Sequence, residues 1–310
     1  MFRPILSFAF LFLGFSIATA VPQRAVLDFD GDNKTDYAVV RPVSNTWVWY
    51  LQQSTDGFRG QPWGISGMDL LVPGDYDGDM KWDIAVWREG TFYILQSSNE
   101  TLKAVPFGQA GDDPKVTQDF DGDGKADPAV TRNVGGALTW YIQRSLLGFT
   151  AVTFGNGTTD FGTRGDFDGD GKADVAVYRK NTGTPASTYY VLRSSDGGLQ
   201  AQTFSFFSSN AVLPADFDGD GKTDYALWLN TNGGWFWVNS SDNSFHVITF
   251  GQAFADVAVP GDYDGDGKTD QALWRNSTGI FYVNRSMLGF TAVPFGTSGD
   301  VPSANNLQVH

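Results

Sequence analysis

The chain has no cysteine among its 310 residues and only two histidines, His246 and His310. The first absence excludes disulfides as a source of stability. The second leaves too few ligands for a zinc site. No nucleophile elbow or metalloprotease signature occurs, and both histidines are isolated, so the sequence reads as a non-enzyme. Positive charge is also scarce. The 21 Lys and Arg face 35 Asp and Glu, for a net charge of −14, which argues against nucleic acid as a partner. Helical periodicity is missing throughout. Beyond residue 20 no apolar run is long enough for a bilayer, so no membrane insertion is expected.

The one long apolar run, Ile5 to Ile17, follows Arg3 and precedes the small-x-small triplet Ala18-Thr19-Ala20. That is the pattern of a secretory signal peptide over residues 1–20, cleaved near Ala20-Val21. The expected location is therefore secreted, either extracellular or periplasmic. An exported protein without disulfides needs another device to hold its fold, and calcium is the obvious one.

What the chain has in abundance is aspartate in a fixed pattern. A nine-residue loop, Asp-aromatic-Asp-Gly-Asp-x-Lys-x-Asp, occurs six times. Its first, third, fifth, seventh and ninth residues are Asp28, Asp30, Asp32, Lys34 and Asp36 in the first copy. They are Asp75, Asp77, Asp79, Lys81 and Asp83 in the second, and Asp119, Asp121, Asp123, Lys125 and Asp127 in the third. The fourth copy has Asp166, Asp168, Asp170, Lys172 and Asp174, and the fifth Asp216, Asp218, Asp220, Lys222 and Asp224. The sixth has Asp262, Asp264, Asp266, Lys268 and Asp270. These loops hold most of the acidic residues, and six divalent ions would cancel nearly all of the net charge.

Successive loops are 47, 44, 47, 50 and 46 residues apart. Each is followed by a strand with Ala in second place, as in Ile84-Ala-Val-Trp-Arg88, and Arg ends five of the six. An aromatic strand comes next (Trp49-Tyr50-Leu51, Trp140-Tyr141-Ile142, Phe236-Trp237-Val238), then a strand ending in an aromatic, usually before Gly, as in Phe107-Gly108. A further short strand, such as Val257-Ala-Val-Pro260, leads into the next loop. Four short strands per unit at this period predict an all-β fold, a six-bladed β-propeller of four-stranded antiparallel blades. A seven-bladed ring or an open array are the alternatives. The units run over about 21–64, 65–108, 109–155, 156–205, 206–251 and 252–296, within one propeller spanning 21–296. Residues 297–310 form a closing strand or a tail. Gly299-Asp300-Val301-Pro302 copies the start of a strand that precedes a loop, while Val21 to Leu27 claims the same slot in the first unit. On the sequence, both cannot occupy it.

The loop chemistry suits calcium, a hard cation that takes six to eight oxygens. Asp at positions 1, 3 and 5 puts three carboxylates around one centre. Position 7, always Lys, contributes only its backbone carbonyl, and the Asp at position 9 closes the cage with one or both oxygens. Up to six ions are expected. Position 6 calls for a left-handed backbone, supplied by Gly in four loops and tolerated by Asn33. Met80 in that place marks the second loop as the weakest site. The terminal Arg of the second strand is expected to pair with a loop Asp of its own or a neighbouring unit.

The Asp-x-Asp-x-Asp-Gly loops and the Phe-Gly pairs resemble the FG-GAP / VCBS repeats, the calcium-loop units also found in the integrin α-subunit propeller. The resemblance spans residues 21 to about 300. It implies a calcium loop between the first two strands of every blade, all loops on one face, and ligand binding on the opposite face or the rim. Integrin propellers have seven blades, whereas the count here supports six. The function expected is a secreted calcium-binding module for binding, adhesion or protein interaction, with an extracellular protein or glycan as ligand. A lectin-like carbohydrate-binding propeller is the alternative. For that reading Trp47, Trp82 and Trp235, outside the repeated aromatic positions, are the candidate exposed platforms.

Overall fold

The computed structural model describes residues 24–181, 183, 186–205 and 211–304. The expected signal peptide lies outside the described residues. The fold is a six-bladed β-propeller of antiparallel sheets. Among the described residues no helix is long and apolar enough to cross a membrane.

Each loop is followed by three consecutive strands joined as hairpins. In the fourth blade these are Val175–Lys180, Ser187–Leu192 and Leu199–Phe204, with Asp160–Thr163 as the innermost strand. The second, fifth and sixth blades repeat this order. The third blade has three strands, Ala129–Val134, Ala137–Arg144 and Gly148–Asn156. There the innermost strand is reduced to isolated bridges, Asp113 to Thr131 and Gln118 to Asp127.

Sequence periodicity explains the layering. In the second strands several consecutive residues are buried, because these strands are covered on both faces by neighbouring blades; the repeated Ala is at most 3% exposed in all six (Ala38, Ala85, Ala129, Ala176, Ala226, Ala272). A methyl there lets adjacent sheets approach closely. The outer strands alternate half-buried and exposed, as in Gly289–Pro294, since one face meets water. Four seams between blades are sealed by a Phe of one outer strand against the terminal aromatic of the preceding blade: Phe58 with Phe295, Phe149 with Phe107, Phe245 with Phe204 and Phe290 with Phe250, with centroids 6.3–6.4 Å apart.

The ring closes by sharing one slot between the two ends of the sequence. Val301 and Pro302 pair with Val40 and Val39, and Ser303 Oγ donates to the Ala38 carbonyl. Leu27 then takes over, its carbonyl accepting from Asp36 N. Gly74 does the same for Asp83 in the second blade. The two segments that were each expected to claim the whole slot lie end to end within it.

Two further expectations change. Trp235 is not a surface platform: it is 1% exposed, and its indole N–H donates to the Phe250 carbonyl as Trp49 does to Trp63 and Trp140 to Phe154. The pairing of Leu227 with Phe236 matches that of Val39 with Tyr50, so the repeated aromatic of the fifth blade begins one residue earlier than its sequence suggests. The strand-ending arginines do not pair with loop aspartates. They grip an Asp in the link before the innermost strand or at that strand's first residue.

Those five clamps are Arg41–Asp300, Arg88–Asp69, Arg132–Asp112, Arg179–Asp160 and Arg275–Asp256. Each is bidentate, with Nε–Oδ1 at 2.5–2.7 Å and Nη2–Oδ2 at 2.7–2.9 Å. The guanidinium lies 4.5–5.0 Å from the centroid of a Tyr ring on the adjacent strand. The Asp also caps a backbone N–H within the link, for example Asn156 N to Asp160. The fifth blade has Leu229 where the others have Arg.

Candidate metal centres

Each acidic loop folds around its own carboxylates. The position-1 Asp accepts the position-4 N–H on Oδ1 at 2.6 Å and the position-6 N–H on Oδ2 at 2.7–3.0 Å, in all six loops. The left-handed turn this requires is present: φ is 84–85° at Gly124, Gly171, Gly221 and Gly267, 63° at Asn33 and 73° at Met80. Met80 thus pays the strain that glycine avoids.

The position-9 Asp is the most buried member, at most 1% exposed in every copy. Its Oδ2 accepts the N–H of the loop's aromatic residue at 2.7–2.9 Å. Its Oδ1 accepts the N–H of a serine just past the third strand: Ser54, Ser97, Ser145, Ser194, Ser240 or Ser286, at 2.6–2.8 Å. The hydroxyl of that same serine donates to the position-5 Asp at 2.6–3.0 Å. Both oxygens at position 9 therefore already carry an N–H, and each keeps one lone pair for a cation, except Asp83 Oδ1, which the Ser97 hydroxyl also approaches at 2.8 Å. These serines lie outside the nine-residue motif. Their separation from position 9 varies from 14 to 20 residues, which hides them from a fixed-spacing motif, but all six follow the aromatic strand within a few residues.

Neighbouring loops are joined directly. The position-8 N–H of each loop donates to the position-1 carbonyl of the preceding loop: Trp82 to Asp28, Ala126 to Asp75, Ala173 to Asp119, Thr223 to Asp166, Thr269 to Asp216 and Thr35 to Asp262, all at 2.5–2.7 Å. Six such bonds make a closed circle. The Lys at position 7 lays its alkyl stem over the position-4 Gly of the preceding loop. A Cβ on Gly31, Gly78, Gly122, Gly169, Gly219 or Gly265 would come within 2.7–3.2 Å of that stem. The lysine thus packs against the neighbouring loop, a role its expected carbonyl function did not reveal.

Carboxylate oxygens converge in the centre of the loops. Asp28, Asp30 and Asp32 form one group whose donor atoms lie within 4.8 Å of one another. In the second to fifth loops the group is drawn from positions 1, 3 and 9, as in Asp119, Asp121 and Asp127. The position-5 aspartates of these four loops are turned toward the serine hydroxyl and the Lys N–H (2.9–3.0 Å). Burial, reinforced by the neighbouring carboxylates, pushes Asp36, Asp224 and Asp270 up to about 7, and Asp83, Asp127, Asp166, Asp174 and Asp216 up to about 6. Asp28, Asp75, Asp119 and Asp262 are raised for the same reason.

These residues fit a hard divalent cation. The donor set is all oxygen. Among the buried side-chain atoms without a hydrogen-bond partner are Asp30 Oδ1, Asp121 Oδ1 and Asp264 Oδ1, all at position 3. A desolvated carboxylate oxygen with no partner is costly unless a cation meets it.

Residues 119–177 and 166–227 match the profile of the FG-GAP-like repeat. Residues 119–227 thus carry two overlapping matches to an FG-GAP-like repeat. The matched FG-GAP-like segments run from the third loop into the strand after the fourth, and from the fourth loop into the strand after the fifth. No curated protein matches the sequence. Among solved structures, TolB from Acinetobacter baumannii superposes with a TM-score of 0.59 at 16% identity, covering 88% of this chain and 66% of TolB. BBS1N in complex with ARL6DN gives 0.50 at 11% identity, covering 88% and 81%. At these identities the likeness is one of fold alone, and the six acidic loops are what set this propeller's chemistry.

Proposed function

We propose that this protein is a secreted, calcium-stabilised propeller that acts as a non-catalytic binding module for another extracellular protein. The observation that carries the reading is the circle of six loops, each gathering carboxylates, with a desolvated, unpartnered oxygen in three of them. Calcium bound there screens the carboxylate repulsion and ties the loop circle together, the part disulfides play in other exported proteins. The reading is non-catalytic because the buried acids are engaged either in the loops or in the arginine clamps, and His246 stacks on the Trp237 ring at 5.0 Å.

A protein ligand is favoured over a glycan. None of the ten Trp is exposed; Trp47 and Trp82 are only half-buried, and Arg164 lies 5.8 Å from the Trp82 ring. An exposed apolar side chain recurs instead near the start of each outer strand, at Phe58, Leu102, Phe149, Leu199, Phe245 and Phe290. These residues follow the turns that touch the loops, so they ring the rim on the loop face. Such a band suits an apolar protein contact.

Thermal unfolding with and without a chelator tests the calcium reading. For one site, ligand at about ten times Kd adds roughly 1.4 kcal/mol, so even partial occupancy of six sites should raise the melting temperature by ten degrees or more. An unchanged melting temperature would defeat the reading. A glycan array with calcium present should give no signal; a specific hit would restore the lectin alternative.

A further inference from the structure

The six loops are alike in sequence but not in structure, and they divide by the position-3 Asp. In the first, third and sixth loops that residue is 6–8% exposed (Asp30, Asp121, Asp264) and its Oδ1 has no partner. Its Oδ2 accepts two successive backbone N–H groups from the turn after the third strand: Thr55 and Asp56, Leu146 and Leu147, Met287 and Leu288, at 2.7–3.1 Å. The turn holds one oxygen and leaves the other bare.

The second, fourth and fifth loops differ together. Their position-3 residues, Asp77, Asp168 and Asp218, are half-buried. A second serine follows the shared one, and Ser98, Ser195 and Ser241 donate a hydroxyl to Oδ2 at 2.6–2.7 Å. Oδ1 is occupied as well, accepting the N–H of Asp79, Asp170 or Asp220 at 3.2–3.3 Å. The distinction follows a sequence feature outside the loop: a Ser-Ser turn in one set, and Ser-Thr, Ser-Leu or Ser-Met with Gly at the turn's end in the other.

We propose that the loops form two classes of calcium site, with those of the first, third and sixth blades the tighter. This rests on the calcium reading above. In the tight class the desolvation of one ligand oxygen is met by folding, and the ion displaces no hydrogen bond from it. In the weaker class the ion shares Oδ1 with an N–H that already draws on its negative charge, a loss on the order of one hydrogen bond, or roughly tenfold in affinity. The second loop falls in the weaker class on this ground and again through Met80.

Calorimetric titration of the chelator-stripped full chain with calcium chloride tests this. The expected isotherm has two phases, three ions binding at least about tenfold more tightly than three others. Asp121→Asn should remove one ion from the tight phase, and Asp168→Asn one from the weak phase. The wild-type isotherm decides the stoichiometry whether or not a variant folds. Six equivalent ions, or loss of a tight ion in Asp168→Asn, would overturn the two-class assignment while leaving calcium binding intact. No bound calcium at all would overturn both.

Discussion

The Arg41–Asp300 clamp offers a direct test of how the ring is held. It joins residues 259 positions apart, whereas the other four clamps join residues 19 or 20 apart. Among the described residues two residue pairs of strand, Val39–Pro302 and Val40–Val301, accompany it, against four in the fourth blade. Asp300 has 1% of its side chain exposed and Arg41 has 35%. The two truncations should therefore differ. Arg41→Ala leaves a buried carboxylate without its cation, which typically costs about 3–5 kcal/mol. The Thr297 N–H still bonded to Asp300 and the open edge toward solvent place this case near the lower figure. Asp300→Ala leaves a guanidinium that can rehydrate and costs roughly 2 kcal/mol in lost charge-assisted bonds. Release of the short strand adds to both. At roughly 2 °C per kcal/mol for a chain of this size, Arg41→Ala should lower the melting temperature by about 6 °C. Carboxypeptidase should then trim the chain past Ala304. The control is Arg179→Ala, with comparable clamp chemistry but a sequence-local partner. It should lose comparable stability yet keep its C-terminal end protected. Equal protection in Arg41→Ala would refute the idea that this clamp closes the ring.

Met80→Gly relieves a left-handed backbone that costs about 1 kcal/mol in a residue with a side chain; it should raise thermal stability by that order and tighten calcium binding at the second loop, as read by calorimetry. Ser145→Ala removes the hydroxyl bond to Asp123 while keeping the N–H to Asp127. At an exposed site this should cost about 0.5–1 kcal/mol, measured by denaturant unfolding, with loss of calcium at the third loop alone.

Much of this architecture was legible in the sequence because its determinants are local. A nine-residue loop followed by a strand with Ala in second place carries its own register, and six copies at a near-constant period count the blades. What escaped was contributed from elsewhere in the chain. Ser54 and its five counterparts reach the loop across a hairpin whose length varies. The clamp aspartates sit in the links before the innermost strands or at those strands' first residues, and Asp300 reaches its partner only when the ring closes. Trp235 was misassigned because its register is set by pairing with the second strand, not by its place in a run of aromatics. The split of one slot between Leu27 and Val301–Ala304 follows from ring closure and has no signal in either segment alone.

In a linear stack of repeats the end units are covered on one flank and fray first. The circle of bonds from each loop's eighth residue to the preceding loop's first has no end unit. No blade can swing out without breaking a bond on each side. Slow amide exchange at Thr35, Trp82, Ala126, Ala173, Thr223 and Thr269 should accordingly be uniform, and these six protons should be lost together. Resistance to proteases then depends less on the strength of any one blade than on the absence of a place to begin.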